Sequence, residues 1–252
     1  MLIRILTWNV CGWRSILRKG FVRQVLRFSP DIICLQEIRT HRMEIPLQLV
    51  LLGYDVFANY SARRGFHGTA VITRLRPLSV MRSLGHKRFD SEGRFLRLDF
   101  REFTLINVYM PHGGRDKRDI GYKLEAYDIL LRYLENISRD VIMVGDFNIA
   151  HKPIDLARPE ENEDNIMFTL AERRMLDRLV MMGFVDAFRI FNRHARKYTW
   201  WPRARNVRER NIGWRIDYIF VSKNLKKNVK KALILSELTG SDHCPVFIEI
   251  EI

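Results

Sequence analysis

The chain has 252 residues, and 47% of them are hydrophobic, which is typical of a globular protein and excludes a disordered chain. Its 43 Lys and Arg residues outnumber 29 Asp and Glu residues, which gives a net charge of +14 at pH 7. Such a charge favours polyanionic partners, although a basic protein without a specific partner also fits. No apolar run reaches the roughly 18 residues of a membrane span, so we expect no membrane association.

Three well-separated cysteines, Cys11, Cys34 and Cys244, predict neither a disulfide framework nor a zinc cluster. We therefore expect a reducing compartment and a cytoplasmic location. No repeat and no low-complexity linker interrupts the chain, which predicts one domain over residues 1–252.

Alternating and continuous apolar runs predict nine strands, and helical spacing predicts three helices. The strands cover 3–8, 32–36, 54–59, 69–73, 95–100, 104–109, 141–145, 215–221 and 246–251. The helices cover 14–28, 117–137 and 169–182, and the core face of the second carries Leu124, Tyr127, Leu131 and Leu134. This mixture predicts an α/β fold of two packed sheets with helices outside.

Polar clusters follow several of the predicted strands, where open α/β folds gather their functional sites. They are Trp8-Asn9, Gln36-Glu37, Asp146 with Asn148, Arg215 with Asp217, and Asp242-His243. Carboxylates, carboxamides and an imidazole together suit a hard divalent cation and a phosphate ester.

Each of these clusters also has a purely structural interpretation. Glu37 ends a buried strand, where either a magnesium ion or a salt bridge to Arg39 would compensate its charge. Asp146 and Asn148 pair a proton acceptor with an amide that can bind a charged oxygen, or they form an Asx turn. His243 pairs with Asp217 or Asp242 as an oriented imidazole, or it is an ordinary loop histidine.

The segment 198–215 combines three of the five tryptophans with five arginines. Aromatic rings beside guanidinium groups suit backbone phosphates and an unstacked nucleotide. A solvated arginine loop packed on a tryptophan cluster would have the same composition. The basic residues that would extend this surface are Arg14, Lys19, Arg63, Arg64, Arg115 and Lys123.

At this point the chain resembles the exodeoxyribonuclease III / AP endonuclease family, within the deoxyribonuclease I-like endonuclease/exonuclease/phosphatase superfamily. The matching motifs run essentially from end to end and include Thr7-Trp8-Asn9-Val10, Cys34-Leu35-Gln36-Glu37, Asn107-Val108-Tyr109-Met110-Pro111, Gly145-Asp146-Phe147-Asn148, Gly213-Trp214-Arg215-Ile216-Asp217-Tyr218 and Ser241-Asp242-His243. The resemblance implies a four-layered α/β sandwich. It also implies a DNA repair phosphodiesterase that acts as a monomer on double-stranded DNA.

The resemblance further implies roles for individual residues. The metal would be Mg²⁺, with Mn²⁺ as a substitute, in a site formed by Asn9, Glu37, Asp146, Asn148, Asp242 and His243. The catalytic set would be Tyr109, Asp146, Asn148, Asp217 and His243, with Asp217 orienting His243. The DNA-binding set would be Arg14, Arg115, Lys123, Asn162, Asn165, Trp200, Trp201, Trp214 and Ile216.

The implied activity is cleavage 5′ to abasic sites, with 3′→5′ exonuclease and 3′-end-trimming activity. Trp200, Trp214 and Ile216 would form the pocket for the flipped-out abasic sugar. The chain looks most like archaeal and Gram-positive members, some of which also cut at deoxyuridine, so that activity stays open. A phosphatase or phospholipase of the same superfamily would share the catalytic residues, and a DNA-binding protein without activity would share the basic surface.

The chain departs from the family pattern at three positions. Cys11 stands where Asp or Asn is usual, His112 replaces a common Asn, and Phe66 replaces a usual Tyr. The first departure lies two residues past the asparagine of the implied metal site.

Overall fold

The computed structural model describes all 252 residues, which form twelve strands and seven α-helices. The strands are β1 (Leu2–Asn9), β2 (Ile32–Gln36), β3 (Asp55–Asn59), β4 (Thr69–Thr73), β5 (Ser79–Met81), β6 (Phe95–Asp99), β7 (Thr104–Tyr109), β8 (Val141–Asp146), β9 (Phe184–Asp186), β10 (Asp217–Ser222), β11 (Val229–Ile234) and β12 (Val246–Glu251). The helices are α1 (Trp13–Arg18), α2 (Phe21–Leu26), α3 (Leu47–Leu51), α4 (Lys87–Ser91), α5 (Ile120–Glu135), α6 (Leu170–Met181) and α7 (Ala187–Phe191). No helix is both long enough and apolar enough to cross a membrane.

The strands form two mixed six-stranded sheets, ordered β11-β12-β1-β2-β4-β3 and β5-β6-β7-β8-β10-β9. Alternate residues of β1 face opposite sides, as the two-residue period of a strand requires. Ile3 and Ile5 join a core of 22 buried residues drawn from both sheets, whereas Leu6 and Trp8 join the core beneath α1 and α2. Helices α5 and α6 cover the outer face of the second sheet. The predicted four-layered α/β sandwich is confirmed.

Several predicted elements differ in detail from the observed ones. The predicted helix over 14–28 is broken at Gly20, whose φ of 81° is left-handed and ends helical geometry. The predicted strand over 215–221 begins at Asp217 because Arg215 is held by side-chain contacts. Strands β5, β9 and β11 were not predicted. Strands β5 and β9 are only three residues long, and the apolar pattern of β11 is interrupted by the exposed residues Lys230 and Lys231.

A buried polar network ties the two sheets together close to the predicted polar clusters. Gln36 Nε2 donates to Thr7 Oγ1 at 2.8 Å and to Asn107 Oδ1 at 2.7 Å. Asn107 Nδ2 donates in turn to the carbonyls of Leu35 and Ala70. Because buried polar groups are costly unless they are hydrogen-bonded, this network favours one relative placement of the sheets.

The start of β10 is anchored by a second buried network. Arg215 Nε donates to Asp155 Oδ1 at 2.8 Å, and Arg215 Nη1 lies 2.7 Å from Asp186 Oδ2. Arg189 also pairs with Asp155. Burial works against ionisation of Asp155, but the two arginines outweigh it and lower the pKa of this carboxyl. The chain therefore enters β10 from a fixed point, two residues before Asp217.

Replacing Asp155 by Asn should lower the free energy of unfolding at neutral pH by about 3 kcal/mol, because buried guanidinium groups lose their ionised partner. A lowered folded-state pKa means that this contribution is present above the unfolded pKa of about 3.9. It is lost as the pH falls through the folded-state pKa. Denaturant unfolding should therefore show a smaller difference between the wild type and Asp155→Asn near pH 3.

The matched control is Asp116→Asn, since the Asp116 side chain is 67% exposed. We expect it to change stability by less than about 0.5 kcal/mol at either pH. An equal effect of Asp155→Asn at neutral and acid pH would contradict the assignment of its charge to stability.

Candidate active site

The polar clusters meet at one edge of the sandwich. In the parallel pair β1 and β2, Asn9 is the register partner of Gln36, and in the parallel pair β7 and β8, Tyr109 is the partner of Asp146. Asp217 pairs with Asp146 in the antiparallel pair β8 and β10. Since the carboxyl ends of parallel strands lie at one edge, residues far apart in sequence are brought together there.

His243 lies at the centre of this edge between two carboxylates. Its Nδ1 atom donates to Asp217, at 2.9 Å from Oδ2 and 3.1 Å from Oδ1. Its Nε2 atom lies 3.9 Å from Asp146 Oδ2. The three side chains are buried and offer ligand atoms within 4.8 Å of one another, so this group could hold a metal ion. The interpretation of His243 as an ordinary loop histidine is wrong, because the ring is buried and bonded.

The surroundings shift the pKa values of both partners upward. Burial alone would lower the pKa of His243, but Asp217, with Asp146 and Asp242, raises it to about 10. Burial and the neighbouring Asp217 carboxylate raise the pKa of Asp146 to about 7, against the opposing effect of His243. The imidazole is therefore cationic at neutral pH, and Asp146 holds its negative charge less readily than an exposed carboxylate.

Asp146 is fixed by hydrogen bonds from both sides. Asn9 Nδ2 donates to its Oδ2 at 2.9 Å, and the backbone N–H of Asn148 donates to its Oδ1 at 2.9 Å. The second contact is the Asx turn that the sequence allows. Forming this turn does not prevent Asp146 from accepting a proton or the Asn148 amide from binding a charged oxygen. Gly145, with φ of 139°, permits the close approach of β8 to β7 just before Asp146, because a Cβ there would lie 1.9 Å from the carbonyl oxygen of Val108.

Tyr109 lies beside Asp146 at the end of β7 and is supported by Arg94. The Arg94 guanidinium carbon lies 4.5 Å from the centroid of the Tyr109 ring, and its Nη1 donates to the Tyr109 carbonyl at 2.9 Å. Burial and the Glu37 carboxylate raise the pKa of the Tyr109 hydroxyl well above its ordinary value, so it remains a hydrogen-bond donor.

A second oxygen-rich group surrounds Cys11, next to Asn9. Asn9 Oδ1 accepts a hydrogen bond from the Cys11 backbone at 3.1 Å. Burial raises the pKa of the Cys11 thiol to about 11, with contributions from the Glu37 and Asp242 carboxylates. Glu37 follows the register partner of Asn9, and the Arg203 guanidinium contacts both Cys11 Sγ and Asp242. Glu37 pairs with Arg39, in the salt bridge that the sequence allows in place of a metal. Two carboxylates and an amide oxygen nevertheless form the donor set that Mg²⁺ prefers.

The predicted aromatic residues fall into two groups. Trp214 and Ile216 belong to a buried apolar cluster with Phe168, and the partly exposed Trp200 packs against it. The Trp200 ring centroid lies 6.3 Å from that of His243, so this apolar wall borders the histidine. Trp201 instead packs in a separate cluster, 4% exposed, with its Nε1 donating to Asn211 and Arg208 over its ring. The prediction that Trp201 contacts DNA gains no support from this burial.

The predicted polar DNA contacts also divide by exposure. Arg14, Arg115 and Asn165 are exposed, and Asn162 is partly exposed and accepts a hydrogen bond from Asn165 at 2.8 Å. A cleft of about 680 Å³ lies beside Cys11 and Asp242. Its basic lining residues are Lys19, Arg39, Arg203 and Arg208. The surface next to the candidate site is thus strongly cationic.

The burial of Lys123 contradicts the prediction that this residue contacts DNA. It is 0% exposed and forms an ion pair with Glu172, which is also 0% exposed. It lies on the inward side of α5, at helical spacing from the buried residues Tyr127, Leu130 and Leu134. The ammonium group therefore cannot reach a phosphate, and the prediction is wrong.

Three supporting residues were not predicted. Trp8 Nε1 donates to the His243 carbonyl at 3.1 Å, and Ser241 Oγ donates to the Asn9 carbonyl at 2.8 Å. Thr199 Oγ1 accepts from the backbone N–H groups of Ile216 and Asp217. All three are direct neighbours of predicted residues, and Trp8 and Ser241 lie within the motifs quoted above, although no role was assigned to them.

The chain matches the Endonuclease/Exonuclease/phosphatase family over residues 6–243. It is 38% identical to an exodeoxyribonuclease of Bacillus subtilis over 254 residues, covering 99% of this chain and 100% of the relative. Among solved structures, an AP endonuclease from Archaeoglobus fulgidus superposes with a TM-score of 0.89 at 28% identity, covering 99% and 100% of the two chains. The 3′ phosphatase NExo from Neisseria, bound to a product DNA hairpin, has a TM-score of 0.89 at 27% identity, with the same coverage.

The family match covers nearly the whole chain and includes every residue of the Asp146–Asp217–His243 group. The chain belongs to the Endonuclease/Exonuclease/phosphatase family, as a hydrolase of its exodeoxyribonuclease III and AP endonuclease branch.

Proposed function

We propose that this enzyme is a magnesium-dependent AP endonuclease that hydrolyses the DNA phosphodiester 5′ to abasic sites, with 3′→5′ exonuclease and 3′-end-trimming activity. The observation that carries the proposal is the buried group of Asp146, Asp217 and His243 at the edge shared by both sheets. Its setting in a chain with a net charge of +14 suits a polyanionic substrate. A relative with 3′ phosphatase activity, bound to product DNA, supports the trimming activity.

The arrangement assigns a separate task to each side chain. Asp146, fixed by Asn9 and Asn148, accepts the proton of the attacking water. The cationic His243, fixed by Asp217, donates from Nε2 to an oxygen of the scissile phosphate. Such preorganised donors stabilise the charge that develops on the phosphate oxygens in the transition state.

Two further donors complete the phosphate site in this proposal. The Tyr109 hydroxyl is kept protonated by its buried setting, and Asn148, two residues after Asp146, is tied to it by a backbone hydrogen bond. Both suit hydrogen bonds to the non-bridging phosphate oxygens. Tyr109 and Asn148 thus act on the phosphate while Asp146 acts on the water.

Mg²⁺ fits the oxygen donors of Asn9, Glu37 and Asp242, which lie next to the proposed phosphate site. When bound, it would polarise the phosphate and offset charge on the leaving oxygen. The Asp146 side chain adjoins this site through its hydrogen bond with Asn9, and His243 lies 3.9 Å beyond it, so the same group of residues would also serve the metal. Mn²⁺ prefers similar ligands and should substitute.

The apolar wall next to His243 supports the preference for abasic sites. Trp200 is partly exposed and packs against the cluster that contains Trp214 and Ile216. A bare deoxyribose fits a small apolar recess, whereas a nucleotide with its base requires more room. Arg14 and Arg115 are exposed on the protein surface, where they are available to DNA phosphates.

Asp146→Asn and His243→Ala should each lower single-turnover cleavage of a tetrahydrofuran-containing duplex by about 10²–10⁴-fold, because a proton acceptor or a phosphate donor is lost. The affinity for the same duplex should change little, since neither residue carries the binding surface. Fluorescence anisotropy measures the affinity in parallel. Turnover that is unchanged in Asp146→Asn would remove the central catalytic assignment.

Chelation provides an independent prediction for the metal. EDTA should abolish cleavage by the wild type, and added Mg²⁺ or Mn²⁺ should restore it, because the donor set consists of oxygen atoms. Isothermal titration calorimetry with Mg²⁺ should show weaker binding to Glu37→Gln than to the wild type. The control is Glu125→Gln, an exposed residue of α5 outside the site. Full activity in EDTA would contradict the metal dependence.

Trp200→Ala should lower kcat/KM on the abasic duplex about 10-fold or more, because the flipped sugar loses an apolar pocket contact worth roughly 1–3 kcal/mol. Its affinity for undamaged duplex should stay within about 2-fold, since phosphate contacts supply nonspecific binding. Arg14→Ala serves as the contrasting variant and should weaken binding to both duplexes equally. Equal loss on both duplexes for Trp200→Ala would exclude a lesion-specific role.

A further inference from the structure

Lys123 is a fully buried cation that the chemistry described above does not use. A lysine ammonium has three N–H donors, and in this protein three acceptors take them. They are Glu172 Oε1 at 2.5 Å, the Asn148 carbonyl at 2.6 Å and the His112 carbonyl at 3.1 Å. The side chain is therefore hydrogen-bonded to capacity within the protein.

Glu172 holds the ammonium group from the opposite side. Its Oε1 also accepts from the Met167 backbone at 3.0 Å, and its Oε2 accepts from the Thr169 backbone and hydroxyl. These contacts form the N-terminal capping box of α6 and fix the carboxylate. The ion pair thus joins α5 to α6 at one defined point.

The two carbonyls that Lys123 binds belong to the loops following β7 and β8. These loops are also joined to each other, because Asn148 Nδ2 donates to the Met110 carbonyl at 2.9 Å. Asn148 has a φ of 51°, a left-handed conformation that few residues other than glycine adopt. A cation bound to the Asn148 carbonyl holds the peptide unit that follows Asn148, while the Asx turn with Asp146 holds the peptide unit that precedes it. The left-handed backbone of Asn148 is therefore fixed from both sides.

We propose that Lys123 is a positioning residue that holds Asn148 in its catalytic orientation through the carbonyls of Asn148 and His112. The inference rests on the proposed role of Asn148 toward the phosphate. A buried ion pair by itself contributes little net stability and is often replaceable by apolar residues. Two of the three Lys123 hydrogen bonds go to the active-site loops, so this ion pair does more than link the two helices.

The test compares variants that separate the ion pair from the carbonyl contacts. Lys123→Met/Glu172→Gln removes both and leaves no unpaired charge, whereas Glu172→Gln removes the ion pair and leaves the lysine on the carbonyls. Leu131→Ala, which truncates a buried side chain of the same helix, is the control for lost stability. Steady-state kinetics on the abasic duplex and thermal unfolding are measured for all of them.

We expect the double variant to lose about 10- to 100-fold in kcat with KM within about 3-fold, because a small displacement of a catalytic group carries that cost. Glu172→Gln and Leu131→Ala should unfold at lower temperatures but keep kcat within about 3-fold at a temperature where they are folded. The single variant Lys123→Arg retains a cationic donor, so its kcat should be much closer to that of the wild type than to that of the double variant.

A double variant that loses no more kcat than Leu131→Ala at equal loss of stability would overturn the inference. If the Met variant does not fold, Lys123→Gln/Glu172→Gln replaces it with the same expected loss and the same contradicting result. Inactivity of the wild type on the abasic duplex would count against the proposed function. In that case the same comparison among variants is made on a duplex with a 3′-phosphate end, so that the role of Lys123 is decided separately.

Discussion

The candidate site depends on the close contact of one buried imidazole with two buried carboxylates. A histidine taken into the protein interior ordinarily becomes neutral, but His243 lies 2.9 Å from Asp217 and 3.9 Å from Asp146. The same contacts affect Asp146. Without the imidazole, its carboxylate would lie beside the Asp217 carboxylate with no positive charge to offset their repulsion. An imidazolium between them permits the two carboxylates to share a buried site, and the carboxylates in turn favour the charged imidazole. Removing any one of the three ionisable groups would therefore shift the pKa values of the other two.

The site also depends on supports that lie outside it. Trp8 holds the His243 backbone, Thr199 holds the start of β10, and the Asp155–Arg215 pair fixes the chain just before it. Each support comes from a different part of the sequence, and each is a buried polar contact with a defined direction. Apolar packing between the sheets supplies the bulk of the stability, but it does not select the orientation of one carboxylate or one amide. The buried hydrogen bonds select that orientation.

The sequence identified the residues of the Asp146–Asp217–His243 group, which the structure brings together, because they lie next to strands whose apolar patterns are clear. Asp146 directly ends a continuous apolar run, and Asp217 and His243 lie within short motifs that resemble those of a known family. It failed where tertiary structure overrides local pattern. Lys123 looks like a surface cation in sequence, yet its spacing to Tyr127, Leu130 and Leu134 places it on the core face of α5, opposite Glu172. Only the packing of α6 against α5 reveals the partner.

Gly20 and β11 illustrate the same limit for the fold. The run over 14–28 has a helical pattern, but the left-handed backbone at Gly20 turns it into two short helices. Strand β11 is recognisable only through its pairing with β12, because Lys230 and Lys231 interrupt its apolar pattern. Such lysines are common on edge strands, where they oppose pairing with other chains. Long-range pairing decides the case of β11, whereas a local backbone conformation decides the case of Gly20.

The most direct measurement is cleavage of three labelled duplexes, one with an abasic analogue, one with deoxyuridine and one without a lesion, in Mg²⁺ and in EDTA. We predict magnesium-dependent incision 5′ to the abasic analogue, which leaves a 3′-hydroxyl end, and no incision of the undamaged duplex. Incision at deoxyuridine as well would show a pocket less selective than the apolar wall of Trp200 and Trp214 suggests. An intact abasic duplex under all conditions would contradict the proposed function.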